Sequence, residues 1–202
     1  MNHTVQIHRD DLASKTGMWL FLFTEMLLFG ALFVVYSVYR FRNTEAFHLA
    51  AHELNVFIGT ANTIILLTSS ATVAMSITAM QQNRKKLALT FLSVTVVLGL
   101  VFLVNKYFEW GHHIKDGIYP GSKILAARGH GDVLFYGLYY FMTGLHAVHI
   151  IIGLTVISFI MVFIMRNEIN SDYFVQHENA GLYWHLVDLV WIFLFPLFYL
   201  IT

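Results

Sequence analysis

The sequence predicts an all-α, polytopic membrane protein whose single domain is a bundle of five transmembrane helices. Hydrophobic residues make up 57% of the 202 residues, and charged residues make up only 12%. A soluble domain usually carries about 25% charged residues, so this composition cannot cover a water-facing surface. The alternative interpretation is a soluble protein with a very apolar core. The apolar residues form uninterrupted blocks, however, and such blocks are required for crossing a membrane but not for a soluble core.

Five of these blocks have at least the roughly 20 residues that a helix needs to cross a bilayer. They cover about residues 16–39, 56–80, 87–108, 133–165 and 180–202. The fourth block is about 50 Å long as a helix, so it must tilt or protrude from the hydrocarbon core. The longest connection, residues 109–132, contains several glycines and is expected to be irregular.

The orientation of the chain is predicted from one short turn. The second and third blocks are joined by a turn that contains Arg84, Lys85 and Lys86. Short basic turns stay in the cytoplasm under the positive-inside rule. The total number of Lys and Arg residues is about equal on the two sides of the membrane. The predicted orientation therefore rests on the density of basic residues in this short turn. We expect a cytoplasmic N-terminus and a periplasmic C-terminus.

Composition and motifs exclude several classes of protein. The chain has no cysteine, which excludes thiolate metal sites, iron–sulfur clusters and disulfides. Its formal net charge is zero and it has no basic stripe, so no nucleic-acid partner is expected. No nucleophile–base pair or glycine-rich phosphate loop is present, so no catalytic residue is predicted.

Two acids, Glu25 and Asp188, lie inside apolar blocks at similar depth. A charge at the centre of a membrane costs at least about 2.5–3.5 kcal/mol, so each acid needs a partner or a purpose. Burial favours the neutral form of a carboxylic acid. Either neighbouring histidine, tyrosine and tryptophan side chains hold these acids and tie the bundle together, or the acids take part in proton or lipid traffic. The sequence leaves both interpretations open.

Other polar residues recur at helical spacing inside the fourth and fifth blocks. We predict that they form a buried polar network, whose members are Tyr139, Thr143, His146, His149, His185 and Asp188. Lys106 and Glu109, spaced i and i+3, are expected to pair near the end of the third block. The second block has a face of small residues suited to close helix packing, namely Gly59, Thr63, Ser70 and Ala74.

The histidines raise the possibility of a haem site. His146 or His149 on one helix and His185 on a facing helix could together serve as the two axial ligands of a haem, as in a di-haem membrane cytochrome. Nearby acids and hydroxyls can satisfy these histidines instead, so no haem or metal ligand is assigned. His112 and His113 are expected to be solvated in the long loop, and the pair at positions 48 and 52 is expected at the surface.

Four segments resemble subunit III of cytochrome c oxidase and related haem-copper oxidases. They are GMWLFLFTEMLLFG at 17–30, KYFEW at 106–110, FMTGLHAVHIIIG at 141–153 and YWHLVDLVW at 183–191. The resemblance covers about residues 14–202. Larger members of the family have seven helices, and this chain resembles their last five, a short form typical of bacterial oxidases.

The resemblance implies a non-catalytic subunit that binds no haem or copper itself. It would pack on subunit I, which carries haem and copper, beside subunit II, which carries copper in a cytochrome c oxidase, and a small subunit IV. It would support proton uptake and the durability of the active site in aerobic electron transport, in which oxygen reduction is coupled to proton pumping. Glu25 matches the carbodiimide-reactive carboxylate of the family. The location implied is the bacterial plasma membrane.

Phospholipid is a further ligand that the resemblance implies. In the seven-helix members it lies in a cleft beside the first two helices, which this chain lacks, so another subunit would have to supply that wall. Subunit III of a quinol oxidase, an accessory protein of nitric oxide reductase, a di-haem membrane cytochrome and a small transporter remain as alternatives.

Overall fold

A computed structural model describes residues 11–170 and 173–201, which form helices joined by short turns. In chain order these are α1 (Asp11–Arg42), α2 (Thr44–His52), α3 (Val56–Gln81), α4 (Lys85–Lys115), α5 (Lys123–Arg128), α6 (His130–Met165) and α7 (Val175–Tyr199). Five of them, α1, α3, α4, α6 and α7, are long and apolar enough to cross a membrane. The prediction of an all-α membrane bundle with five spanning helices is therefore confirmed.

The spanning helices alternate in direction. On one side, called here the amino-terminal side, α1, α4 and α7 begin and α3 and α6 end; the other side is called the opposite side. Helix α7 is the most buried span and contacts α1, α3 and α6, whereas α1 is the most exposed. Helix α7 starts at Val175, before the predicted start at Ala180, and the predicted end at residue 202 lies outside the described residues.

Local signals set the ends of α3. Asn55 precedes the helix, and its side-chain oxygen accepts hydrogen bonds from the backbone N–H groups of Phe57 and Ile58 at 3.0 and 3.2 Å. This N-cap satisfies two donors that have no partner within the helix. The helix ends in a tight turn in which Asn83 adopts a φ of 57° and Arg84 N–H donates to the carbonyl of Ala79 at 2.9 Å. The left-handed residue allows α4 to start immediately, antiparallel to α3.

Trp184 on α7 is the point where four spanning helices meet. A Cβ atom at Gly153 of α6 would lie 2.8 Å from its ring, and one at Gly99 of α4 would lie 3.0 Å away. The indole N–H donates to Ser69 Oγ of α3 at 3.1 Å. The two glycines let a large ring lie between helices, because any side chain at either position would occupy the same space.

Helix α2 was not predicted, because it is only nine residues long and gives no spanning signal. It buries Phe47, whose ring contacts Tyr36 of α1 and Phe135 of α6 with centroids 5.6 and 5.4 Å apart. A Cβ at Gly131 would lie 2.5 Å from Ala46, so the backbones of α2 and α6 approach closely. Helix α2 therefore joins the opposite-side ends of α1 and α6.

The expectation of an irregular segment over residues 109–132 is wrong for most of its length. Helix α4 continues to Lys115, and α5 and the start of α6 occupy most of the remainder. The chain turns at Gly117, Gly121 and Gly129, whose φ values are 74°, 89° and 138°. Within residues 109–132, these three glycines adopt positive φ values, which suit residues without a Cβ. Gly111 and Gly131 are tolerated inside helices, so counting glycines overestimated the loop.

Candidate functional site

Glu25 of α1 pairs with His149 of α6 within the membrane-spanning part of the bundle. His149 Nε2 lies 2.9 Å from Glu25 Oε2, and the two side chains are only 11% and 16% exposed. The imidazole also packs edge-on against Phe29, with ring centroids 5.2 Å apart. The Tyr183 hydroxyl donates to the backbone carbonyl of His149 at 3.2 Å. This contact joins α1, α6 and α7 around one carboxyl group.

The hydrogen bonds of His149 determine how many protons the pair holds. His149 Nδ1 lies 2.8 Å from the carbonyl oxygen of Leu145, and a carbonyl can only accept, so Nδ1 carries a hydrogen. The contact between Nε2 and Glu25 then needs one further proton. Either the carboxylic acid donates to neutral imidazole, or imidazolium donates to the carboxylate. Both forms are neutral overall, which suits an apolar environment.

A second buried cluster lies nearer the opposite side, where Lys106 joins three helices. Its ammonium nitrogen lies 3.1 Å from Glu109 Oε2 on the same helix. It also donates to the hydroxyls of Tyr139 on α6 at 3.0 Å and of Tyr199 on α7 at 2.9 Å. Both tyrosines in turn donate to Glu109 Oε1. The Lys106 and Glu109 side chains are each 3% exposed, so this is a fully buried ion pair with every Lys106 N–H directed at a partner.

The polar residues of α6 that were predicted to belong to one buried network do not form one. Tyr139 belongs to the Lys106 cluster, Thr143 donates to the carbonyl of Tyr139 at 2.5 Å, and His149 binds Glu25. His146 is fully buried and stacks on Trp191, with ring centroids 5.3 Å apart. The expectation that a nearby acid or hydroxyl satisfies His146 is wrong, because neither ring nitrogen has a hydrogen-bond partner among the described residues. These residues of α6 have separate partners because they face different neighbouring helices.

His185 of α7 interacts with α3, and Asp188 lies one turn further along the same helix. His185 Nδ1 lies 2.6 Å from Ser70 Oγ of α3. The histidines of α6 were expected among the partners of Asp188, but Oδ1 of this acid has no partner among the described residues. Ser70 is thus a polar link between α3 and His185 of α7.

Three of the four residues assigned to a packing face on α3 contact α7. A Cβ at Gly59 would lie 2.8 Å from Phe195, Thr63 Oγ1 accepts from the Trp191 indole at 3.0 Å, and Ser70 meets His185. Ala74, the fourth residue, is exposed and does not lie against α7 in this chain. Val73 and Ile77 occupy the corresponding place against Gly181, because the face turns as the helix rises.

Several polar contacts were not predicted. Thr72 on α3 and Thr95 on α4 pair at 2.7 Å, and Asn105 donates to Asn62 at 2.8 Å. Tyr199 was missed as a partner of Lys106. Lys106 and Tyr199 both lie toward the carboxyl ends of α4 and α7, which run parallel, so matching depth across the bundle was the signal that could have found this contact.

The remaining histidines differ in exposure. His112 is exposed as expected, whereas His113 is buried, and both belong to α4 rather than to a loop. Within residues 11–170 and 173–201, no group of three or more His, Asp or Glu side chains is placed to hold a metal ion. Both ring nitrogens of His149 already have hydrogen-bond partners, so neither is free to serve as an axial ligand of a haem iron.

The fold and these contacts define a class of protein: a polytopic helical membrane protein with two separate buried acid clusters. The family model for cytochrome c oxidase subunit III matches residues 2–202. The chain therefore belongs to the cytochrome c oxidase subunit III family, the third subunit of haem-copper terminal oxidases. The motifs at Glu25, Lys106, His149 and His185 that carried the resemblance all lie within the match.

Relatives with this sequence pattern come from several oxidases. Cytochrome c oxidase subunit 3 of Alkalihalophilus pseudofirmus is 33% identical over 91% of this chain and 84% of its own length. A probable quinol oxidase subunit 3 of Staphylococcus saprophyticus is 27% identical over 93% of this chain and 89% of its own length. A haem-copper oxidase subunit I+III of Aeropyrum pernix is 29% identical over 93% of this chain, which spans only 22% of that longer protein.

Proposed function

We propose that this chain assembles on subunit I of a respiratory haem-copper terminal oxidase in the bacterial plasma membrane, and that it supports proton uptake there without a catalytic centre of its own. The observation that carries the proposal is the family match over residues 2–202. The fused subunit I+III of a relative supports the choice of subunit I as the main contact. Subunit II and a small subunit IV are the further partners proposed.

In this assembly the haem and copper belong to the partner subunits. The electron donor is cytochrome c or quinol, and relatives named for each donor match this chain over similar lengths. The contribution of this chain is a rigid helical surface and a membrane carboxyl group. We assign the turn at Arg84 to the cytoplasm, in line with the positive-inside rule. Glu25 then lies in a helix that enters the membrane from the cytoplasm.

The Glu25–His149 pair is the group proposed to act in proton handling. Its proton can lie on either partner: the net charge of the pair is zero in both arrangements, and transfer from the carboxylic acid to imidazole gives a carboxylate and an imidazolium that stay in contact at 2.9 Å. Glu25 is slightly exposed at the face of α1, whereas His149 reaches inward from α6. The carboxyl group can therefore exchange a proton with its surroundings, and the imidazole can pass a proton back to the carboxyl group.

Phospholipid is the proposed ligand of the apolar grooves that flank α1. One groove, of about 590 Å³, lies between α1, α6 and α7 and ends at the polar side chains of Gln176 and Asn179. Another, of about 450 Å³, lies between α1 and α7 and includes Trp19 and His185. Acyl chains fit such surfaces because nearly all of the lining is apolar.

The test is purification of the complex in mild detergent with identification of the co-purifying subunits. Subunit I should accompany this chain in a fixed ratio, and haem absorbance should follow subunit I rather than this chain alone. A stoichiometric Soret band retained by the isolated chain would contradict the accessory role and favour a membrane cytochrome.

A matched pair of variants tests the proposed role of Glu25. Glu25→Gln keeps the shape and can donate to His149, but it cannot ionise. We expect an assembled oxidase with normal haem content whose proton pumping or activity declines over many turnovers. Glu45→Gln, at an exposed position, is the control. Equal pumping and endurance in Glu25→Gln and the parent would reduce the pair to a structural contact.

A further inference from the structure

Helix α2 carries two histidines whose imidazole rings converge outside the bundle. His48 and His52 are spaced i and i+4, which places them on one face of the helix one turn apart. Their Nε2 atoms lie 3.4 Å apart, and the ring centroids are 4.6 Å apart with the planes inclined at 70°. His52 is exposed and His48 is partly exposed, whereas the buried residues of α2 are Phe47, Ala50 and Ala51.

We propose that His48 and His52 form a binding site for an exchangeable divalent transition-metal ion that favours tetrahedral nitrogen ligation, with Zn²⁺ as the best match. Neutral imidazole is a preferred ligand of zinc, copper and nickel. The two Nε2 atoms already lie 3.4 Å apart, a separation that one ion can bridge, so binding requires little movement of either side chain. The ion is separate from the redox centres proposed for the partner subunits.

The distance between the two nitrogens favours tetrahedral geometry. Zn–N bonds of about 2.0–2.1 Å at a tetrahedral angle place two nitrogens about 3.3–3.4 Å apart. Neighbouring ligands in a square-planar Cu²⁺ site are separated by only about 2.8–2.9 Å. The observed separation of 3.4 Å matches the first arrangement.

Proton positions are compatible with an incoming ion. In the free pair one Nε2–H donates to the other Nε2, since two unprotonated nitrogens would repel each other. Binding requires the donating ring to change to its Nδ1–H tautomer, which leaves both Nε2 lone pairs for the metal. No third His, Asp or Glu is placed to join them within the described parts of the chain, so water fills the remaining positions.

Binding has a local structural consequence. Helix α2 has nine residues, and helices shorter than about 12–15 residues are marginal on their own. An ion that bridges successive turns binds only the helical form, so it stabilises α2 by mass action. Because α2 packs between α1 and α6, the site connects divalent-metal availability to the order of this surface segment.

The test compares Zn²⁺ binding and hydrogen exchange in the purified oxidase complex. Zinc is titrated against a chromophoric indicator, and amide exchange is followed over residues 44–52. The parent should bind one more Zn²⁺ per complex than His48→Gln, and zinc should slow exchange in α2 of the parent only. His112→Gln is the control, because this exposed histidine lies on the same side of the bundle.

A permuted variant separates geometry from histidine content. Leu49→His combined with His52→Leu keeps two histidines on α2 but places them at i and i+1, which do not face each other. Leu49 is 62% exposed, so the helix accepts this change. The permuted chain should behave as His48→Gln does. Equal zinc stoichiometry and equal α2 protection in the parent and either variant would overturn the proposal.

Discussion

Removal of the buried ammonium group of Lys106 is expected to destabilise the bundle strongly. The variant is Lys106→Met, which keeps an unbranched side chain of similar length. In the parent, this nitrogen donates to Glu109, Tyr139 and Tyr199 on three helices. The substitution leaves the Glu109 carboxyl group buried without its cation.

The structure sets the expected magnitude. Removing one partner of a buried ion pair typically costs about 3–5 kcal/mol, because the other charge is left uncompensated. Glu109 keeps two donors in Tyr139 and Tyr199, so the lower end, about 3 kcal/mol, is expected. That loss corresponds to about a hundredfold change in the unfolding equilibrium, at about 1.4 kcal/mol for each factor of ten.

The measurement is the free energy of unfolding by denaturing detergent, taken through a double-mutant cycle. Lys106→Met combined with Glu109→Gln should recover most of the loss, since a neutral amide can still accept from both tyrosines. Lys15→Gln, which breaks the exposed pair with Glu178 at 2.8 Å, is the control and should change stability far less. A Lys106→Met chain as stable as the control, or a double variant no more stable than the single one, would refute this account.

Three further predictions concern orientation, packing and reactivity. With an impermeant thiol reagent on intact cells, Ala127→Cys should be labelled and Gln82→Cys should not. Both positions are exposed, but they lie on opposite sides of the bundle, and the proposed orientation places Gln82 in the cytoplasm, where the reagent does not reach. The reverse labelling pattern would invert the proposed orientation. Gly153→Ala should destabilise the protein by about 1–3 kcal/mol through overpacking, since its Cβ would lie 2.8 Å from Trp184, whereas Gly137→Ala, with open space at that position, should not. A hydrophobic carbodiimide should modify Glu25 in preference to the exposed Glu45, as mass spectrometry of the labelled peptides can establish; equal labelling would show that the carboxyl of Glu25 is not distinguished by its surroundings.

The sequence was informative wherever one residue type or one periodicity was sufficient. Uninterrupted apolar blocks predicted the five spanning helices, since crossing a bilayer demands length and apolarity in one continuous segment. The spacing of Lys106 and Glu109 predicted a pair that a single helix brings together at 3.1 Å. The motifs around Glu25, His149 and His185 were sufficient to identify the family.

Partners across helices could not be read from the sequence. The choice of His149 rather than His146 for Glu25 depends on the rotation of α6 relative to α1. Ser70 of α3 meets His185 because α3 lies beside that part of α7. Neither contact produces a periodic pattern in the sequence, because each depends on how two separate helices are rotated and at what depth they cross.

The sequence by itself therefore determined the class of fold, the number of membrane crossings and the acids that need partners. Each of these follows from the cost of placing polar groups in lipid, which acts on every segment independently. Only the tertiary structure decided which side chain satisfies which acid, that Lys106 gathers two tyrosines from other helices, and that α2 presents a histidine pair outward. Those outcomes depend on side-chain packing between helices, where Gly99 and Gly153 admit Trp184 and so fix the positions of α4, α6 and α7.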